Sequence, residues 1–201
     1  MKDNKTIPLV YILAPRKTKA IYSKFLTVLK NKLQNVQVRR IMVDFEWAYM
    51  DAFMDCFPGV EIVGCFFHMT QCVWRQTQQC GLQRRYNNDM DFARHLRMIM
   101  ALAFVPNDDV KDAYEKLVSW HFYDTNSEEL SDLVTYVEQV WIGKRRCVGR
   151  RSKPLFAIKP WNCYLAVLQD ESRTNNVCEG WHNGLNGRIQ VHHAMFGNFI
   201  N

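Results

Sequence analysis

Apolar residues follow two rhythms along this chain, and the change from one to the other divides it. Over residues 1–83, short and nearly continuous apolar runs alternate with stretches of helical spacing. Ile7 to Leu13 is such a run and reads as a strand buried on both faces, with polar residues 1–6 as the turn leading into it. Ile21, Tyr22, Phe25, Leu26, Val28, Leu29 and Leu33 recur at helical intervals, which predicts a helix over Thr18 to Lys32. Val38 to Val43 returns to strand character and ends at Asp44. Glu46 to Cys56 then reads as a helix stopped by Phe57-Pro58-Gly59, and Val60 to Val63 as another short strand closing on Gly64. Strands alternating with helices predict an α/β layer architecture.

From Arg84 onward only helical spacing remains. It predicts helices over Met90 to Phe104, Val110 to Phe122, Glu128 to Ile142 and Trp161 to Leu168. Asn107-Asp108-Asp109 reads as a helix start, an amide cap followed by carboxylates that oppose the helix dipole. Gly143 to Lys153 (GKRRCVGRRSK) is a glycine-punctuated basic loop. A last helix runs from about Asn176 to Ile189, after Asp170-Glu171-Ser172.

Composition narrows the class. With 201 residues, 48% of them hydrophobic and 13% aromatic, the chain can bury a sizeable core. Its 26 Lys and Arg against 20 Asp and Glu give a formal charge of +6, which favours a polyanionic partner, nucleic acid first, although simple solubility would also account for it. Seven cysteines are an odd number in a chain too long to need disulfide staples, so reduced thiols of the cytosol or nucleus fit best. The run Ile7 to Ala14 contains Pro8, leads into Pro15-Arg16-Lys17 and lacks a small-residue cleavage pattern, so it reads as a strand and not as a signal segment. No apolar stretch reaches the roughly 18 residues of a membrane span.

Two carboxylates are candidates for chemistry. Asp44 follows a strand directly, and the carboxyl ends of strands are where open α/β sheets place ligands; it could equally cap the next helix, though Trp47 denies it a capping box. Glu179 shares a helix face with His182, Asn183, Asn186 and Gln190, but Asn176-x-x-Glu179 also fits a capping box. Trp181, Leu185 and Ile189 form an apolar stripe on that helix, and Gly180, Gly184 and Gly187 a small-residue stripe suited to close approach of another backbone. Cys65 and His68 stand three residues apart at a helix start and would make half a zinc site if Cys178 and His182 completed it. Packed or hydrogen-bonded side chains are the alternative, and a Cys-His nucleophile has no oxyanion-hole element or orienting group beside it. The basic loop carries Lys144, Arg145, Arg146, Arg150, Arg151 and Lys153, enough to contact phosphates, to act as a nuclear-import signal, or simply to form a solvated face.

The order of these features gives a more specific signal than any one of them. PLVYILAPRKTKAIY, IMVDFEWAYMDAF with FPGVEIVGCFFHMTQ after it, then LAFVP, VWIG, PWNCY and RTNNVCEGWHNGLN follow one another between about Ile7 and Ile200. In that order they resemble the catalytic domain of Mutator-like element (MULE) transposases of the DDE class. The resemblance implies a ribonuclease H-like mixed sheet: residues 1–83 would form the first part of the core, 84–172 a large helical insertion, and 173–201 the core helix with the last acid. Asp44 would match the family's second acid and Glu179 its third, together holding two Mg2+ or Mn2+ ions. Cys65 and His68 match the family's Cys-x-x-His motif and, with His182, would shape the site instead of binding zinc. The implied activity is cut-and-paste DNA transposition in the nucleus, on transposon terminal inverted repeats and target DNA. No membrane is involved, and self-association is left open. The family's first acid lies on an N-terminal strand hairpin that this sequence lacks, and Asp3, in a polar turn, does not replace it. The isolated chain is therefore expected to be inactive, with a non-catalytic remnant that binds DNA or protein as the alternative.

Overall fold

A computed structural model describes residues 10, 12, 14–33, 36–146, 150–176, 179–181 and 183–184. They belong to two compact units, residues 17–174 and residues 1–16 with 175–201.

The larger unit opens with helix α1, Lys19–Lys32. Thr18 starts it from an extended conformation, its hydroxyl accepting the Ile21 N–H at 3.4 Å, and Lys30 and Lys32 complement the dipole at its end. Strand β1, Arg40–Val43, pairs in parallel with β2, Glu61–Gly64, in a register running from Arg40 opposite Glu61 to Val43 opposite Gly64. Parallel neighbours need a crossover, and helix α2, Trp47–Cys56, supplies it. α1 lies on α2, and Leu26, Ala52 and Phe53 form a small core between them. Among the described residues the sheet has these two strands, so the architecture is mixed α/β and mostly helical. Of the expected strand Ile7 to Leu13, Val10 and Ile12 are described and neither is in a strand; the rest lies outside the described residues.

β1 ends in a tight turn. Phe45 has φ of +59°, a left-handed conformation that costs an ordinary residue about 1–2 kcal/mol. The turn drops its ring into the core, 7% exposed, edge-on to Trp141 at 5.0 Å and to Phe156 at 5.2 Å. Burying a phenylalanine side chain returns about 1.5–3 kcal/mol, so the conformation is affordable. The ring tip rests on Gly64, where a Cβ would come within 2.0 Å of it. Gly64 is needed for this contact.

After β2 the chain is helical: α3 (Phe66–Gln79), α4 (Gln83–Asn88), α5 (Met90–Ala101), two 3-10 turns (Leu102–Phe104 and Asn107–Asp109), α6 (Val110–Val118), α7 (His121–Thr125) and α8 (Ser127–Val137). A π-helical turn, Glu138–Ile142, ends α8, and α9 (Ile158–Trp161) and α10 (Tyr164–Leu168) follow the basic segment. One core runs from Val43 and Phe45 through Phe92, Leu96, Tyr114, Leu133 and Trp141 to Trp161.

Several predicted helices break where a side chain competes with the backbone ladder. Val110 to Phe122 divides at Ser119-Trp120, and the new helix buries Tyr123, whose hydroxyl donates to the His95 carbonyl at 2.7 Å. Trp161 to Leu168 divides at Asn162, whose amide donates to the Val105 carbonyl at 2.8 Å while its oxygen accepts the Tyr164 N–H at 3.0 Å. The expected amide cap at Asn107 does not form. The N-cap of α6 is Asp109, without a side-chain cap bond, and Asn107 instead donates to the Asp108 carboxylate at 3.3 Å. Among the described residues no helix is long and apolar enough to cross a membrane.

The Phe45–Gly64 contact sets a stability prediction. Gly64→Ala should destabilise the chain by about 1–3 kcal/mol, the usual range for overpacking a core, read as a lower urea midpoint at unchanged slope. Adding Phe45→Leu should recover part of the loss by shortening the obstructing side chain.

Candidate functional site

Asp44 stands immediately beyond β1. The Cys65 N–H donates to the Val43 carbonyl at 2.9 Å, so the end of β2 and the start of α3 are held against it. The Asp44 side chain is 52% exposed, and its Oδ1 lies 3.2 Å from Nδ1 of His68, in the first turn of α3 and 20% exposed. Tyr49 is close by: burial, and then the negative charge of Asp44, push its phenol above the usual tyrosine range. The cap position of α2 is Glu46, not Asp44, and no side chain caps that helix, so the capping role open to Asp44 in the sequence is not the one it has. The Glu46 carboxylate is engaged elsewhere, accepting the Tyr22 hydroxyl at 2.5 Å and pairing with Lys17 at 3.3 Å. Tyr49 and Tyr22 were not legible as site neighbours, because both also fit the apolar face of a helix.

The thiols are packed. Cys65 is fully buried and is the cap residue of α3. Burial pushes the Cys72 thiol up, with Arg75 opposing. Cys163 is pushed up to about 11, by burial first and against the charge of Arg173. Cys56, Cys65, Cys72, Cys80 and Cys163 are free thiols. Cys178 and His182, the other half of the zinc alternative, lie outside the described residues. Among the described residues no group of three or more His, Cys, Asp or Glu could hold a metal.

Glu179 belongs to the smaller unit, where residues 176, 179–181, 183 and 184 have helical backbone. Its N–H donates to the Asn175 carbonyl at 3.2 Å, which makes Asn175 the cap and Glu179 the fourth helical residue. A capping-box glutamate sits at the third, so the box suggested by Asn176-x-x-Glu179 is out of register by one. A Cβ added at Gly180 or Gly184 would meet no atom within 4 Å, so among the described residues these glycines do not serve the close helix approach expected of them. Asn186, Gln190 and the rest of that helix lie outside the described residues. Within the larger unit, the segment leading to Glu179 is tied to the sheet. Arg40 of β1 pairs with Glu61 at 2.7 Å and with Glu171, and the Arg173 carbonyl accepts the N–H of Phe66 at 2.9 Å.

Residues 144–146 and 150–152 of the basic loop pair as a hairpin stem, and residues 147–149 lie outside the described residues. Arg145 and Arg151 form an antiparallel bridge, flanked by Arg146 N–H to the Arg150 carbonyl at 2.7 Å and Ser152 N–H to the Lys144 carbonyl at 2.8 Å. Its base needs Gly143, which has φ of +100° and whose added Cβ would come within 2.0 Å of the Ser152 carbonyl oxygen. The π-helical turn before it frees the Gln139 and Val140 carbonyls, which accept the N–H groups of Leu155 and Phe156 at 3.0 and 2.9 Å. Arg151 is not a surface charge. Its side chain is 6% exposed and reaches Glu115 at 2.6 Å, Glu138 at 3.0 Å and the Gly143 carbonyl at 2.5 Å, with the Tyr114 ring beneath at 5.1 Å. Burial alone would lower its pKa, but the two glutamates outweigh it and the net shift is upward.

Two cavities among the described residues lie apart from Asp44 and His68. One of about 620 Å³ lies among α6, α7 and α8 and is lined by residues such as His121, Asp124 and Ser131. One of about 270 Å³ separates Arg40, Met42, Glu61 and Val63 of the sheet from Asn162 and Leu165. Asp44, Cys65 and His68 line neither.

Two measurements check this arrangement. Arg151→Met should cost about 1–3 kcal/mol in chemical denaturation, because it strands the carboxylates of Glu115 and Glu138 without a donor. In the native chain at about pH 8, Cys163 should resist alkylation, since the thiolate is the nucleophile. It should react as the pH approaches about 11, or at once on unfolding.

No family model, curated protein or solved structure matches this chain, so its functional reading rests on its residues, their order along the sequence and their geometry.

Proposed function

We propose that the chain is a transposase-derived domain of the Mutator-like kind, a ribonuclease H-like core with a helical insertion, related to DNA transposition by a two-metal mechanism. The observation that carries the reading is the pairing of Asp44, half exposed at the carboxyl end of β1, with His68 of the Cys-x-x-His motif at 3.2 Å. Two further observations support it. Neither Asp44 nor Glu179 is where the helix-capping alternative required. Helices α4 to α10 occupy the interval between the two acids, as the insertion would.

The donor chemistry fits a hard divalent cation in kind, since a solvent-accessible carboxylate offers oxygen ligands. In the larger unit, Asp44 is the residue that would offer such a ligand. A bound Mg2+ or Mn2+ ion would supply Lewis-acid activation of a water or a 3′-hydroxyl. His68, whose Nδ1 lies 3.2 Å from Oδ1 of Asp44, would help to orient that carboxylate. Fully buried Cys65 shapes the start of α3 without being a ligand. Two acids are fewer than the three this mechanism uses, so these 201 residues by themselves should not cleave DNA. Action in the nucleus on terminal inverted repeats belongs to the same proposal. The second reading is a non-catalytic DNA- or protein-binding module, for which the exposed cations Lys144, Arg146, Arg150 and Lys153 speak.

The deciding assay is strand cleavage and joining on a duplex substrate. The chain as it stands should give no metal-dependent product, whereas a version extended by the strand hairpin and first aspartate of Mutator-like transposases should cut in Mg2+ or Mn2+. Asp44→Asn or Glu179→Gln should abolish that activity, and His68→Ala should lower it about 10–100-fold, the usual effect of losing a group that orients a ligand. Nicking by the unextended chain that survives Asp44→Asn would reject the assignment.

A further inference from the structure

The hairpin sorts its cations onto two faces. Side chains of residues paired across an antiparallel ladder project to the same side, and the side alternates along each strand. Arg145 and Arg151 are one such pair, and both engage Glu115, Arg151 at 2.6 Å and Arg145 at 3.6 Å. That face is the mount. Arg146 and Arg150 are the next pair and project to the other side, as do Lys144 and Ser152. Lys144, Arg146, Arg150 and Lys153 are exposed, and among the described residues none of them takes part in an ion pair. No acidic residue occurs anywhere in 143–153.

Two guanidinium groups opposite each other repel, and a ladder that keeps such a pair loses stability unless an anion lies between or across them. The base beneath the pair is fixed. Arg151 is locked into Glu115, Glu138 and the Gly143 carbonyl, and the base closes through Lys144 N–H to Ser152 Oγ at 2.9 Å. Arginine forks match phosphate oxygens bidentately, and a duplex backbone presents phosphates in a regular row.

We propose that the paired residues 144–146 and 150–153 form a preformed arm for the phosphate backbone of duplex DNA, with Arg146, Arg150 and Lys144 as the contact face and Arg151, 6% exposed, as its mount, while Arg145, 69% exposed, lies on the Glu115 side. The arm is separate from Asp44 and His68, so it stands or falls independently of the catalytic reading.

The test is equilibrium binding of the full chain to a fluorescent duplex of arbitrary sequence in EDTA, titrated over about 50–200 mM salt. Each phosphate contact contributes about 0.9 to the slope of log affinity against log salt, so Arg146→Ala with Arg150→Ala should flatten it by about two. Arg145→Ala should flatten it less than Arg146→Ala, because that side chain lies on the Glu115 side. Asp44→Asn should bind like the parent, which separates this outcome from any failure of the nuclease assay. Arg151→Lys, which keeps the charge but not the fork, should weaken binding without changing the slope by a full contact. Circular dichroism should first show that each variant is folded. Equal losses from Arg145→Ala and from Arg146→Ala would overturn the two-faced arrangement. Absence of binding at low salt would overturn the arm itself, as would tighter binding to phosphatidylserine vesicles than to the duplex.

Discussion

The ring of Phe45 rests on Gly64 at the point where β1 ends, and much of the larger unit is arranged around that contact. Phe45 accepts a left-handed conformation to reach it, and the ring then meets Trp141 and Phe156. The same turn leaves Asp44 facing outward while its neighbours Val43 and Phe45 are buried. Through this turn the hydrophobic core and the candidate carboxylate are coupled. The aromatic partners come from the helical segment, so that segment helps to shape the sheet end from which Asp44 projects.

A second constraint comes from charge. Arg151 is an arginine inside the fold, where desolvation is unfavourable, and it is held there by Glu115, Glu138 and a backbone carbonyl. It converts what would be a loose basic loop into a hairpin of defined orientation. The cost of burying one charge yields a surface on which the other charges have fixed places. Buried ion pairs are seldom a large net source of stability, and their use here is better understood as fixing geometry.

Under the proposed function, the two constraints would bear on DNA in different ways. A carboxylate with a histidine beside it can orient a metal ligand, and a two-faced basic hairpin can engage a phosphate backbone. Arg40, with Glu61 and Glu171, ties the segment ahead of Glu179 to β1. Cys65 and Cys163 are buried thiols of the core, the latter poorly nucleophilic at neutral pH.

The strand, helix and strand around Asp44 were readable from the chain because local periodicity and the Phe57-Pro58-Gly59 stop act over a few residues. So were the helical character of residues 84–172 and the concentration of cations at 143–153. The helix breaks at Trp120 and Asn162 were not, since they depend on the His95 and Val105 carbonyls, distant in sequence. Whether Asp44 or Glu179 caps a helix could not be read either, because a cap is a matter of register, and one residue decides it. Six basic residues in a row of eleven look equivalent in a sequence. Only the tertiary structure separated Arg151 from Arg146 and Arg150, because burial and the direction of a side chain on a ladder are set by partners such as Glu115 and Glu138, which lie elsewhere in the chain.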